Sequence, residues 1–99
     1  MTQFQEKVYN VVKKIPRGRV MTYLSVARAI AMPGAARAVG GALNKNTLSS
    51  VPCHRVVRSN GMVGGYRWGV KKKISLLAKE GVIIKNQIID LTRCLWNHG

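Results

Sequence analysis

Seventeen lysines and arginines stand against only three carboxylates, Glu6, Glu80 and Asp90, and this imbalance constrains the chain more than any other feature. A formal charge of +14 on 99 residues repels itself in the compact state and attracts polyanions. A nucleic acid is therefore the leading partner and an anionic membrane surface the second. With 46% apolar residues the chain reads as folded, long enough for one modest core and too short for two domains. Nothing approaches the roughly eighteen consecutive apolar residues of a membrane span, and the N-terminus lacks a basic-then-apolar signal pattern. The expectation is a soluble protein of the cytoplasm or nucleoid, nuclear in a eukaryote, with Cys53 and Cys94 as free thiols.

Between residues 3 and 15, Phe4, Val8, Val11, Val12 and Ile15 recur at helical spacing, with Gln5, Glu6, Lys7, Lys13 and Lys14 mostly off that stripe. This predicts an amphipathic helix broken at Ile15-Pro16-Arg17-Gly18-Arg19, where Pro16 biases its predecessor away from the helical region. Thr22 is read as the N-cap of a second helix, Tyr23 to Ala31, with Leu24, Ala27 and Ile30 inward. Met32-Pro33-Gly34 connects it to a third helix, Ala35 to Leu43, and the pair reads as helix-turn-helix, with an ordinary helical hairpin as the alternative. Gly40 and Gly41 each cost about 1 kcal/mol in a helix interior and so need a reason. Close approach of a packed helix or of nucleic acid would supply it. Arg37, the long cation among small residues, is the side chain to be inserted between or beside bases.

Beyond the polar loop 44–50, Val56-Val57 is strand-like, and Ser59-Asn60-Gly61 is expected to turn the chain back through Met62-Val63 as a short hairpin. The loop Gly64-Gly65-Tyr66-Arg67-Trp68-Gly69 either walls a base pocket or covers core. A fourth helix, Val70 to Lys79, turns Ile74, Leu77 and Ala78 inward, carries Lys71-Lys72-Lys73 near its start and stops at Gly81. Residues 82–99 read as a C-terminal strand or strap anchored by Trp96. The sum is a single domain over 1–99, mainly α with a short β-hairpin and winged helix-turn-helix-like.

Pro52-Cys53-His54-Arg55-Val56-Val57 sets a thiol beside an imidazole in a cationic protein, which makes Cys53 a candidate nucleophile. On an extended segment the two side chains point to opposite faces, so they communicate through a water or a bent backbone. A buried thiol beside a surface histidine is the competing reading. If His54 needs an acid to fix its tautomer, Glu80 is the best placed of the three carboxylates, because its helix must pack on the core. A Cys53, His54, Glu80 set follows, in which His54 takes the thiol proton through water.

Those residues, with Ala35-Ala36-Arg37-Ala38-Val39-Gly40-Gly41-Ala42-Leu43 and Asn46 before them and Ser59, Gly61, Gly64-Gly65-Tyr66 and Leu76-Leu77-Ala78-Lys79-Glu80-Gly81 after, resemble the DNA-binding domain of the O6-alkylguanine-DNA alkyltransferases. The resemblance runs from about Phe4 to Gly81. It implies a single-turnover repair reaction without a cofactor or metal, on double-stranded DNA containing O6-alkylguanine. The lesion base is flipped out and Cys53 takes the alkyl group, with His54 as water-mediated base and Glu80 as its partner. Asn46 braces the active-site segment. Tyr23 presses on a phosphate and offers its hydroxyl to the flipped base, and Arg37 fills the vacated stack. Ala35, Ala36, Gly40 and Gly41 lie along the DNA, while Leu43, Val56, Val63, Tyr66 and Arg67 wall the base pocket. The protein is expected to act as a monomer in contact with the minor groove and the phosphates.

Thr47 stands where many members have proline, and the expectation is a single domain without the usual N-terminal one. The short form, with Ile89-Asp90-Leu91 and Trp96 in its tail, is also similar to the alkyltransferase-like proteins, lesion sensors that lack the reactive cysteine and flag damage for excision repair; Cys53 and Gly64-Gly65-Tyr66 favour the transferase. Two further classes predict differently. A helix-turn-helix transcription factor would prefer an operator sequence and ignore Cys53→Ser. A zinc module on Cys53, His54, Cys94 and His98 has ligand spacings unlike the common fingers.

Overall fold

The computed structural model describes residues 1–97. Thr2 caps the first helix, α1 (Gln3–Val12), through a capping box in which its hydroxyl accepts from the Gln5 backbone and the Gln5 side chain accepts from Thr2. The helix ends before Ile15, which is buried all the same in the turn that follows. β1 (Met21–Thr22) leads directly into α2 (Tyr23–Ala29), capped by a second box of Thr22 and Ser25. Val26 and Ala27 are its buried residues; the expected Leu24 and Ile30 are only half-buried, because the helix is two turns long and presents a different face. A 3₁₀ turn, Pro33–Ala35, connects to α3 (Ala36–Asn44).

The strand pairing differs from expectation. β2 (Val56–Val57) does not fold back on Met62-Val63; it pairs in parallel with β1, Met21 opposite Val56 and Thr22 opposite Val57. Ser59-Asn60-Gly61 does turn, with Arg58 N–H donating to the Met62 carbonyl at 2.9 Å. The antiparallel hairpin lies instead in the tail, β3 (Ile84–Lys85) with β4 (Ile88–Ile89), between α4 (Val70–Lys79) and the short α5 (Leu91–Cys94). Sequence alternation was too weak there to identify strands. Its two-residue turn, Asn86-Gln87, has positive φ at both positions, the geometry that matches strand twist.

Successive side chains on a strand face opposite ways, so β1 and β2 divide the core. Met21 and Val56 join Val8, Val12, Ile15, Val26, Val39 and Leu43 between α1, α2 and α3. Val20 and Val57 join Val63, Leu77, Val82, Ile89 and Cys94 under α4 and the tail. Trp96 N–H donates to the Val20 carbonyl at 2.7 Å and its ring packs on the first cluster, which ties down the end of the tail. No helix among the described residues is long and apolar enough to cross a membrane.

Candidate active site

Cys53, a member of the first cluster, opens a 3₁₀ turn, Cys53–Arg55, immediately before β2. The segment is thus bent rather than extended, because Pro52 removes a donor and leaves the chain free to turn before β2. Asn46, 1% exposed, braces the loop ahead of it: its amide donates to the carbonyls of Leu48 and Val51, and its oxygen accepts from Leu48 N–H at 2.9 Å.

The bend carries His54 toward the end of α4. His54 Nε2 lies 2.9 Å from Glu80 Oε2. Arg55, to which sequence reasoning assigned no role, closes on the same carboxylate with its fork, Nε to Oε1 at 2.9 Å and Nη2 to Oε2 at 2.7 Å, and donates Nη1 to the Ile15 carbonyl. Burial opposes ionisation of Glu80, but the bonds from Arg55 and His54 prevail and bring its pKa down to about 2. An ionised Glu80 takes the Nε2 proton of His54 as a donated bond, leaving Nδ1 with its lone pair. Burial lowers the His54 pKa while Glu80 raises it, so the neutral base predominates. No hydrogen bond joins the Cys53 thiol directly to His54 among the described residues. Of the other carboxylates, Glu6 is exposed on α1 and Asp90 caps α5.

Cys53, 6% exposed, borders a cleft of about 920 Å³. One wall is α3 with Ala36, Arg37, Gly40, Gly41 and Leu43; the other is the Val63–Arg67 loop, and Tyr23 and Leu24 contribute from α2. A Cβ on Gly41 would meet nothing, and one on Gly40 would only touch the Tyr23 ring at 3.8 Å. Helix packing therefore does not require these glycines; the space they leave belongs to the cleft. Val56, expected as pocket wall, is absent from its lining because it is fully buried in β2; Ala35, expected along the DNA, packs half-buried on the core. A second recess, about 430 Å³, is lined by Cys53 and His54 with Leu48, Ser49, Tyr66 and Trp68.

Lys73 was missed, and it organises the cleft wall. It is fully buried, donating Nζ to the carbonyls of Val56 at 2.7 Å and Gly65 at 3.0 Å, with the Tyr23 hydroxyl 3.5 Å away. Burial lowers its pKa to about 8. Its place four residues before Leu77 on α4 was the available signal, since Ala78, expected inward, is exposed. Burial raises the Tyr23 phenol, keeping it a proton donor, and Gly64, at φ 75°, lets the loop come within 3.1 Å of that hydroxyl where a Cβ would stand. Cys53 and Cys94 lie in separate clusters, and no group of three His, Cys, Asp or Glu side chains is placed to hold a metal among the described residues. His98 lies outside those residues.

Known proteins resemble this chain in sequence and fold. Residues 3–82 match the family description "6-O-methylguanine DNA methyltransferase, DNA binding domain". A methylated-DNA–protein-cysteine methyltransferase of Methanothermobacter thermautotrophicus is 47% identical over 87 residues, 87% of this chain and 48% of that protein, so the chain spans about half of that relative. Among solved structures, Schizosaccharomyces pombe Atl1 in complex with damaged DNA containing O6-carboxymethylguanine superimposes with a TM-score of 0.89 at 33% identity, over 99% of this chain and 98% of that one. Mycobacterium tuberculosis OGT in complex with DNA superimposes with a TM-score of 0.79 at 41% identity, over 82% of this chain and 50% of that one. With the matched segment holding α1 to α4, the Cys-His turn and Glu80, the chain belongs to the family of the 6-O-methylguanine DNA methyltransferase DNA-binding domain.

Proposed function

We propose that this chain repairs duplex DNA by moving the alkyl group of a flipped O6-alkylguanine onto Cys53. The observation that carries this reading is Cys53 at the border of a cleft between a small-residue helix and a glycine-rich loop. In the reaction a sulfur–carbon bond forms and the carbon–O6 bond breaks, its electron pair passing to the guanine. His54, oriented by Glu80, takes the thiol proton through water; Tyr23 supplies a proton to the departing base. A methyl inside a duplex is out of reach, so flipping is required and costs a few kcal/mol. Arg37, exposed on the cleft wall, replaces part of the lost stacking. The thioether has no leaving group that water displaces readily, so each molecule acts once.

Incubation with an O6-methylguanine oligonucleotide followed by mass analysis tests the proposal. One methyl gained on the Cys53 peptide is the expected result. An unmodified protein that still binds the lesion sinks the transferase reading in favour of a lesion sensor. That second reading is favoured by one observation: Atl1 superimposes over nearly the whole of both chains.

A further inference from the structure

The cleft has one wall beyond the segment that carries the family match. Gln87, in the turn between β3 and β4, lines it beside Arg58, Met62 and Val63, whereas the match ends at residue 82. The hairpin is built into the fold. Val63 N–H donates to the Gln87 carbonyl at 3.2 Å, Ile89 N–H donates to the Gly61 carbonyl at 2.8 Å, and Met62 bridges Ile88. Gly61 sits at φ 90°, and a Cβ there would stand 2.9 Å from the Ile89 carbonyl, so glycine is what admits β4 this closely. Ile89 is buried in the second cluster, which fixes the turn at the rim of the cleft.

The chemistry of that rim is uniform. Arg58, Asn86 and Gln87 are exposed, and neither the Arg58 guanidinium nor either amide has a hydrogen-bond partner among the described residues. None of the three carboxylates is free at this rim: Glu6 is on α1, Glu80 is held by Arg55 and His54, and Asp90 caps α5. Met62 and Ile88, 38% and 50% exposed, add a small apolar edge of the kind a deoxyribose face can cover.

We propose that Arg58 and the Asn86-Gln87 turn form a second grip on the sugar-phosphate backbone of duplex DNA, across the cleft from Arg37. This rests on the reading of the cleft as the site of a flipped base. Swinging a nucleotide out requires its strand to be braced on both sides of the rotation, and α3 supplies only one side. A guanidinium and neutral amides bind phosphate oxygens without regard to sequence, as a repair protein requires. The charge of the chain and the continuity of this rim with the cleft both favour nucleic acid as its occupant.

The test is fluorescence anisotropy with an O6-methylguanine duplex and its undamaged counterpart over a salt series, with thermal melts to show that each variant folds. Arg58→Ala is expected to weaken both duplexes about tenfold and to lower the slope of log K against log salt by about one. Gln87→Glu, which turns a carboxylate toward phosphate, is expected to weaken both by about tenfold as well. Parental affinity and slope in both variants, with Arg37→Ala impaired, would overturn the second grip and leave the proposed function standing. A parent protein that binds neither duplex overturns both.

Discussion

Lys73 Nζ donates to the Val56 carbonyl at 2.7 Å, so a lysine buried on α4 is anchored to the strand that follows the Cys-His turn. The same ammonium reaches Gly65 at 3.0 Å, and the cleft loop thereby hangs from β2. Replacement by methionine leaves two carbonyls without their donor, each costing about 1–3 kcal/mol when buried. The pH dependence has a definite sign. Burial lowers the folded pKa to about 8 against an unfolded value of 10.5, so between those values the unfolded chain binds more protons and stability rises with pH. Denaturant melts should show this rise in the parent and its loss in Lys73→Met; equal slopes in the two would refute it.

Glu80 is expected to give a rise of the same sign in a different, acidic window. Its folded pKa, about 2, lies below the ordinary 4.5, so its stabilisation is complete above pH 4.5 and is lost as pH falls toward 2. Glu80→Gln should cost about 3 kcal/mol at neutral pH by stripping a mostly buried Arg55 of its partner. It should also move the His54 titration, followed by NMR, further down, because Glu80 is what raises it. Alkyl transfer should slow by about a hundredfold with loss of the oriented base. An unmoved His54 titration would disprove the coupling.

Arg37→Ala should impair repair of duplex more than reaction with free alkylated guanine base, since only the duplex has a stack to refill. Parallel rates on the two substrates decide it: equal losses remove the insertion role.

Gly41 separates stability from binding. Nothing lies within 4 Å of a Cβ placed there, and alanine in a helix interior gains up to about 1 kcal/mol over glycine, so Gly41→Ala should raise the melting temperature. Gly41→Leu should fold equally well yet bind duplex poorly, because its side chain would fill the cleft. Undiminished binding by the leucine variant would show that α3 does not face the DNA.

Local signals determined much of this protein. The apolar stripe of α1, the Thr22 cap of α2, the limits of α4 and its glycine stop are readable because each depends on residues within a few positions. The pairing of His54 with Glu80 was legible for a different reason: with three carboxylates in the chain, elimination left one. Strand partners were not legible. β2 is only two residues long, and nothing near it in sequence reveals that it lies along β1 rather than against the segment after its own turn. The roles of Arg55 and Lys73 depend on carbonyls and a carboxylate brought close only when helix ends, strand and loop have packed. A buried cation is stable only where the finished fold supplies its acceptors, and that condition is three-dimensional: spacing along the chain can place a lysine on an inward face, but only tertiary structure decides whether anything is there to receive it.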